Sequence, residues 1–177
     1  MKRYFGLAII LVILACNNAE NKSAETRDTS LAKKVDSNLN RLDFTDEKVG
    51  LIYTDYIALK NALVATKTDD AKEAAKKLAV SLNGYAGCEN TAITAGNIET
   101  ANDITAQRKA FTTLSTDVIA LFKNASLNNG KIYVQHCPMA NNGDGGDWLS
   151  SEKKIQNPYY GSEMMECGAV VEEIKAK

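Results

Sequence analysis

Apolar residues recur at three- and four-residue steps through the middle of the chain. From Thr45 to Lys67 they fall at Val49, Ile52, Tyr53, Tyr56, Leu59, Leu63 and Val64. That is one face of an amphipathic helix, with Thr45 or Asp46 as its cap. Thr68-Asp69-Asp70 offers a second N-cap with acid in the first turn. Ala71, Ala74, Ala75, Leu78 and Leu82 follow as a stripe, and Gly84 and Gly87 supply the stop. A third helix is predicted from Ile98 to Asn124 on Ala101, Ile104, Phe111, Leu114, Val118, Leu121 and Phe122. Short connections make neighbouring helices pack antiparallel. The expected fold is mainly α: an up-down helical bundle of three or four helices. It carries an irregular C-terminal segment with short extended pieces, the whole domain covering residues 45–177.

The N-terminus follows another pattern. Lys2 and Arg3 precede an almost wholly apolar run from Phe5 to Ala15. The run is well short of the roughly 20 residues a membrane-spanning helix needs, and it has the length of a secretory h-region. It ends in Ile13-Leu14-Ala15-Cys16, which resembles a bacterial lipobox, cleaved before a cysteine that is then lipidated. Residues 1–15 are therefore expected to be a lipoprotein signal peptide and Cys16 the lipidation site. The plainer alternative is an ordinary signal peptide or short anchor with an incidental cysteine. Residues 16–44 are expected to be a flexible tether, because the stretch through Ser30 is polar and aperiodic. Leu31, Val35, Leu39 and Leu42 leave room for a short docking helix within it. Asn17 stands where the usual inner-membrane retention signal has Asp. The expected location is the bacterial cell envelope, lipid-anchored in the outer membrane and facing the periplasm.

After Asn128-Asn129-Gly130 the texture changes. Lys131 to Gln135 reads as a short strand, and a glycine-rich loop follows from Asn141 to Gly146. Residues 136–168 contain the only His, the only Trp, both Pro and every Met except Met1. They also contain Cys137 and Cys167, two of the three cysteines left once Cys16 is lipidated. Core packing has no reason to gather these types in one segment, whereas soft-metal ligation does. Thiolate and thioether are soft donors that favour Cu(I), with Ag(I) as an analogue, and imidazole suits both.

The candidate metal ligands are Cys137, Met139, Met164, Cys167 and His136. Pro138 biases Cys137 toward an extended conformation, in which Cys137 and Met139 face the same side. Met164 and Cys167 are three apart, one face of a helical turn. If that arm is extended instead, Met165 pairs with Cys167. Plainer readings stand beside each. Cys137 and Cys167 can form a disulfide in an oxidising compartment. His136 can be an exposed strand residue, and the methionines can be core filler. Trp148, Tyr159 and Tyr160 read as core under the loop. Asp144 and Asp147 are a thin basis for calcium. Cys88 reads as a buried or free thiol, or as an extra member of the cluster.

The C-terminal pattern is also similar to a known one. Cys137-Pro138-Met139-Ala140, Trp148-Leu149-Ser150, Asn157-Pro158-Tyr159-Tyr160-Gly161, Met164 and Cys167-Gly168 resemble a bacterial family of domains of unassigned function. The family occurs as stand-alone exported lipoproteins and fused to CusB-like periplasmic adaptors of heavy-metal efflux pumps. The match in order and spacing covers residues 133–174; the helical part matches only in general character. The resemblance implies a small helical domain with a copper or related heavy-metal site. It carries over to Cys137, Met139, Met164 and Cys167, not to His136 or Cys88. It also implies a partner, an efflux adaptor or a metallochaperone, beside the membrane reached through the lipid anchor.

Charge and composition narrow the alternatives. The formal charge is −1 and becomes −3 when Lys2 and Arg3 are removed, so no polycationic surface argues for nucleic acid. A single His excludes a multi-histidine zinc or iron site within one chain. None of the predicted helices carries the Glu-x-x-His pairs of ferritin-like bundles. There is no phosphate-binding glycine loop, nucleotide fingerprint or zinc-protease motif. Nothing pairs a nucleophile with a base, and a thiol redox enzyme with Cys137 activated by His136 lacks a Cys-x-x-Cys partner. No enzymatic activity is expected.

Overall fold

The computed structural model describes residues 42–176. The expected signal peptide, the lipidation site Cys16 and the tether through residue 41 lie outside the described residues. The folded part starts slightly earlier than expected. Leu42 packs against the core, and Asp43–Phe44 is already a strand, β1. Among the described residues, no helix is long and apolar enough to cross a membrane.

Four helices follow: α1 (Glu47–Val64), α2 (Thr68–Asn83), α3 (Glu89–Glu99) and α4 (Ile104–Asn124). Asp46 caps α1, its side chain accepting from the Lys48 N–H at 2.8 Å. For α2 the expected cap is displaced. Thr68 is the first helical residue, and the N-cap is Lys67, which is extended and makes no side-chain capping bond. Asp69 and Asp70 do lie in the first turn, where acids suit the exposed N–H groups.

The third predicted helix is α4, which starts at Ile104 rather than Ile98, and α3 precedes it as a helix the apolar spacing did not predict. The expected start at Ile98 is near the end of α3, and the chain breaks between Thr100 and Asp103 before α4 begins. Asp103 decides the break: its carboxylate accepts from the Ala106 N–H at 2.8 Å and so starts a new helix. Consecutive helices pack on one another.

The remainder is β structure. A two-stranded antiparallel sheet pairs β1 with β2 (Leu127–Asn129), tying the start of the described chain to the exit of α4. The C-terminal third was expected to be irregular with short extended pieces. It forms instead a three-stranded antiparallel sheet. Its central strand is β3 (Lys131–Cys137), flanked by β4 (Gly146–Ser150) and β5 (Ala169–Lys175). The fold is thus mostly helical but not a bundle alone.

One core spans both parts. Trp148, Tyr56, Phe111 and Phe122 are its largest fully buried side chains. Each fully buried Leu, Ile or Phe contributes about 1.5–3 kcal/mol. A chain of aromatic contacts runs from α1 to β4. Tyr56 stacks on Phe111 at 5.6 Å, Phe111 meets Tyr159 at 5.8 Å, and Tyr159 meets Trp148 at 6.1 Å. The Tyr56 hydroxyl is also hydrogen-bonded to Ser115 Oγ at 2.6 Å and accepts from the Leu149 N–H at 3.1 Å. That one buried oxygen links α1, α4 and β4. Burial pushes its pKa far up, so it stays neutral.

Candidate metal centre

Cys137 closes β3. The residue after it is Pro138, which has no N–H to continue the ladder. The Cys137 side chain is fully buried. Across the sheet it faces Gly146 on β4. A Cβ there would lie 2.6 Å from the Tyr159 ring and 3.0 Å from the Ala140 Cβ. Glycine at 146 therefore lets Tyr159 close the floor beneath the thiol.

The second arm arrives from the other side. His136 pairs with Ala169 in the β3–β5 register. Just before it, Gly168 has φ +142, and a Cβ there would lie 2.7 Å from the His136 carbonyl oxygen and 3.1 Å from the Trp148 ring. Only glycine permits this approach. It brings Cys167 Sγ to 3.1 Å from Cys137 Sγ, and both thiols are free. A disulfide bond would be about 2.05 Å, while two thiolates on a tetrahedral ion bound at about 2.3 Å would lie about 3.8 Å apart. The pair sits between these two distances.

A buried asparagine positions the arm. Asn157 is fully buried, and its backbone N–H donates to the Met165 carbonyl at 2.9 Å. Its Nδ2 donates to the Cys167 carbonyl at 2.9 Å, and its Oδ1 accepts from the N–H groups of Tyr159 and Tyr160 at 2.8 and 3.3 Å. The loop carrying it is anchored to the helices by Arg108, which donates from Nε to the Pro158 carbonyl at 2.9 Å and from Nη2 to the Leu63 carbonyl at 3.1 Å.

The Cys167 N–H donates to the Met164 carbonyl at 3.1 Å. The arm is thus a turn rather than extended at the backbone. Met164 is partly buried there. Met139 is 54% exposed, and Tyr160 donates its hydroxyl to the Met139 carbonyl. The neighbouring Cys137 thiol, through its hydrogen bond and its charge, and desolvation push the Cys167 thiol above its ordinary pKa. The Met139 N–H, aimed at the Cys167 sulfur, partly offsets this.

The other candidates are elsewhere. His136 precedes Cys137 on β3, and successive strand residues point to opposite faces. Its Nδ1 meets Asp147 Oδ1 at 2.8 Å across the sheet. Cys88 is buried at the N-cap of α3, where burial, with Glu89 and Asp117 nearby, raises its pKa. Asp144 is exposed, and Asp147 is the partner of His136. Among the described residues, no three His, Cys, Asp or Glu side chains gather in one place. A site at the thiol pair therefore rests on sulfur alone. Trp148 and Tyr159 are core, as expected, and Tyr160 is partly buried.

Two buried polar side chains have a structural role that no expectation above assigns. Asn157 had a local signal, since Asn before Pro favours a side-chain-capped turn. Gln135 had none. It is fully buried, accepts from the Trp148 indole N–H at 2.8 Å and donates to the Glu152 carbonyl at 2.8 Å.

A family profile described as "Protein of unknown function (DUF3347)" matches residues 52–130. That span covers most of α1, then α2 to β2, and ends before Cys137, so it is separate from the 137–168 pattern. No curated protein and no solved structure matches the chain.

Proposed function

We propose that this protein is an exported, lipid-anchored envelope protein that binds a soft metal ion through Cys137 and Cys167, with Met139 and Met164 as thioether donors. Cu(I) is the preferred ion and Ag(I) its analogue. The task is to buffer the ion or pass it to an efflux adaptor or another carrier, with no catalytic step. One observation carries the reading: two free thiols from segments thirty residues apart lie 3.1 Å from each other. Two adjacent thiols, with no cluster of three His, Cys, Asp or Glu side chains among the described residues, suit a soft monovalent ion better than zinc or calcium. Met139 and Met164, on the same two segments, are the thioethers in sequence reach. To embrace an ion at tetrahedral angles the sulfurs need to part by roughly 0.7 Å. His136, engaged by Asp147, is left out of the ligand set.

The same closeness supports a second reading, a structural or interaction lipoprotein in which a Cys137–Cys167 disulfide staples the C-terminal turn to the sheet. A competition titration separates the two. Reduced protein is titrated with Cu(I) against a chromogenic chelator, beside Cys137→Ser and Met164→Leu. Copper held more tightly than by the chelator, and weakened in both variants, supports the metal site. Equal behaviour of all three proteins would sink it.

A further inference from the structure

The two thiols are close but unequal. Closing the 3.1 Å gap to a bond needs a movement of about 1 Å, within reach of the Met164–Cys167 turn and without rearranging the sheet. Cys137 is fully buried, whereas Cys167 is partly exposed. An outside reagent can therefore reach one sulfur and not the other. We infer that the site is redox-gated: an external disulfide oxidises Cys137 and Cys167 to a disulfide, entering at Cys167 and resolved by Cys137, and this discharges the bound ion.

The exchange balances in two steps. Cys167 loses its proton, and its thiolate bonds to one sulfur of the external disulfide. The other sulfur leaves as a thiolate and takes up a proton. Cys137, likewise deprotonated, then attacks Cys167 Sγ, breaks the mixed bond and expels the second thiol. The protein loses two electrons and two protons, and the external disulfide gains them as two thiols. A bound Cu(I) keeps its oxidation state and loses the Cys167 thiolate in the first step and the Cys137 thiolate in the second. In loaded protein both sulfurs are already deprotonated, so the two leaving thiolates take their protons from water. The two thiols just released are soft donors beside it, ready to take it away. Cys88 lies outside this chemistry, being buried at the N-cap of α3 without a sulfur partner among the described residues.

The thiol step stands on the geometry alone; its consequence for the ion rests on the metal reading above. The test uses the full chain with oxidised glutathione as the probe. Reduced, metal-free protein is first shown to take up Cu(I); if it takes up none, the metal reading and the gate both fall before any oxidant is added. Metal-free protein is then equilibrated with glutathione mixtures, alkylated and weighed. The expected result is that Cys137 and Cys167 disappear together as one two-electron couple while Cys88 remains alkylatable. In Cys137→Ser, glutathione should be trapped on Cys167. In Cys167→Ser, the adduct on Cys137 should form at least about tenfold more slowly, because access limits thiol exchange. Loaded wild-type protein should release Cu(I) to a chelator in step with pairing. Adducts forming equally fast at both thiols, or pairing with copper retained, would overturn the gate while leaving the metal reading in place.

Discussion

Asn157 grips Cys167 by its carbonyl: the Nδ2 amide donates at 2.9 Å from a side chain with no exposed surface. The same amide oxygen accepts from Tyr159 and Tyr160. One side chain thus sets the bend after Pro158 and the height at which the second thiol meets the first. Thirty residues of chain separate the sulfurs, and this contact fixes the nearer end of the bridge.

Asn157→Ala should therefore act on stability and on the thiols together. It leaves a carbonyl and two N–H groups without their buried partner, which costs about 2–4 kcal/mol. Urea unfolding should show that loss, and reduced protein should pair Cys137 with Cys167 more slowly. Unchanged pairing would mean that the turn is positioned by its other contacts.

Gly168→Ala tests the approach of β5. The added Cβ meets the His136 carbonyl at 2.7 Å, on a backbone at φ +142 that side chains rarely adopt. About 1–3 kcal/mol of destabilisation follows, visible as a lower Tm. Because the arm must swing outward, Cu(I) affinity should fall as well. A stable variant with native affinity would show that the close packing at 168 is not what joins the thiols.

Metal uptake should depend on pH with a fixed sign. The fold holds the Cys167 thiol above its ordinary pKa, so the protonated form predominates at neutrality. Binding must displace protons, so apparent Cu(I) affinity should rise with pH, by up to about 100-fold per pH unit if both thiols give one up. The metal-free protein should respond in the opposite sense. A raised folded pKa contributes stability that is fully present below the ordinary thiol value and is lost as pH rises above it and through the raised value of the folded state. Chelator competition and urea melts over a shared pH series check both. A flat affinity profile would exclude the thiols as ligands.

His136→Ala should leave Cu(I) affinity within about threefold. Its pairing with Asp147 is at the surface, with the side chains 37% and 49% exposed, so its stability cost should stay below about 1 kcal/mol. A tenfold loss of affinity would return His136 to the ligand set.

Much of the helical half can be read directly from residue order. Helix spacing is local: Val49, Ile52, Tyr56, Leu59 and Leu63 mark one face whatever lies opposite them, and all are buried. The break before α4 is less visible, because the apolar stripe runs past it. Asp103 competes with the helix for its own N–H groups, and its side chain wins. The sheet was harder still. Gln135 is a polar residue in the middle of β3, and it is buried only because Trp148 and the Glu152 carbonyl satisfy its amide. Most of β5 is an exposed edge, so burial leaves little apolar alternation along it.

The candidate site divides the same way. Residue order alone gathers Cys137, Met139, Met164, Cys167 and His136 into one short segment and suggests soft-donor chemistry. Which of them meet is a long-range matter. The β3–β5 register, and two glycines whose missing Cβ atoms let Tyr159 and the 164–168 turn close in, bring Cys167 onto Cys137. Strand alternation sends His136, one residue away, to Asp147 instead. Hydrogen-bond register and steric clearance across thirty residues are properties of the folded chain, and no local pattern encodes them.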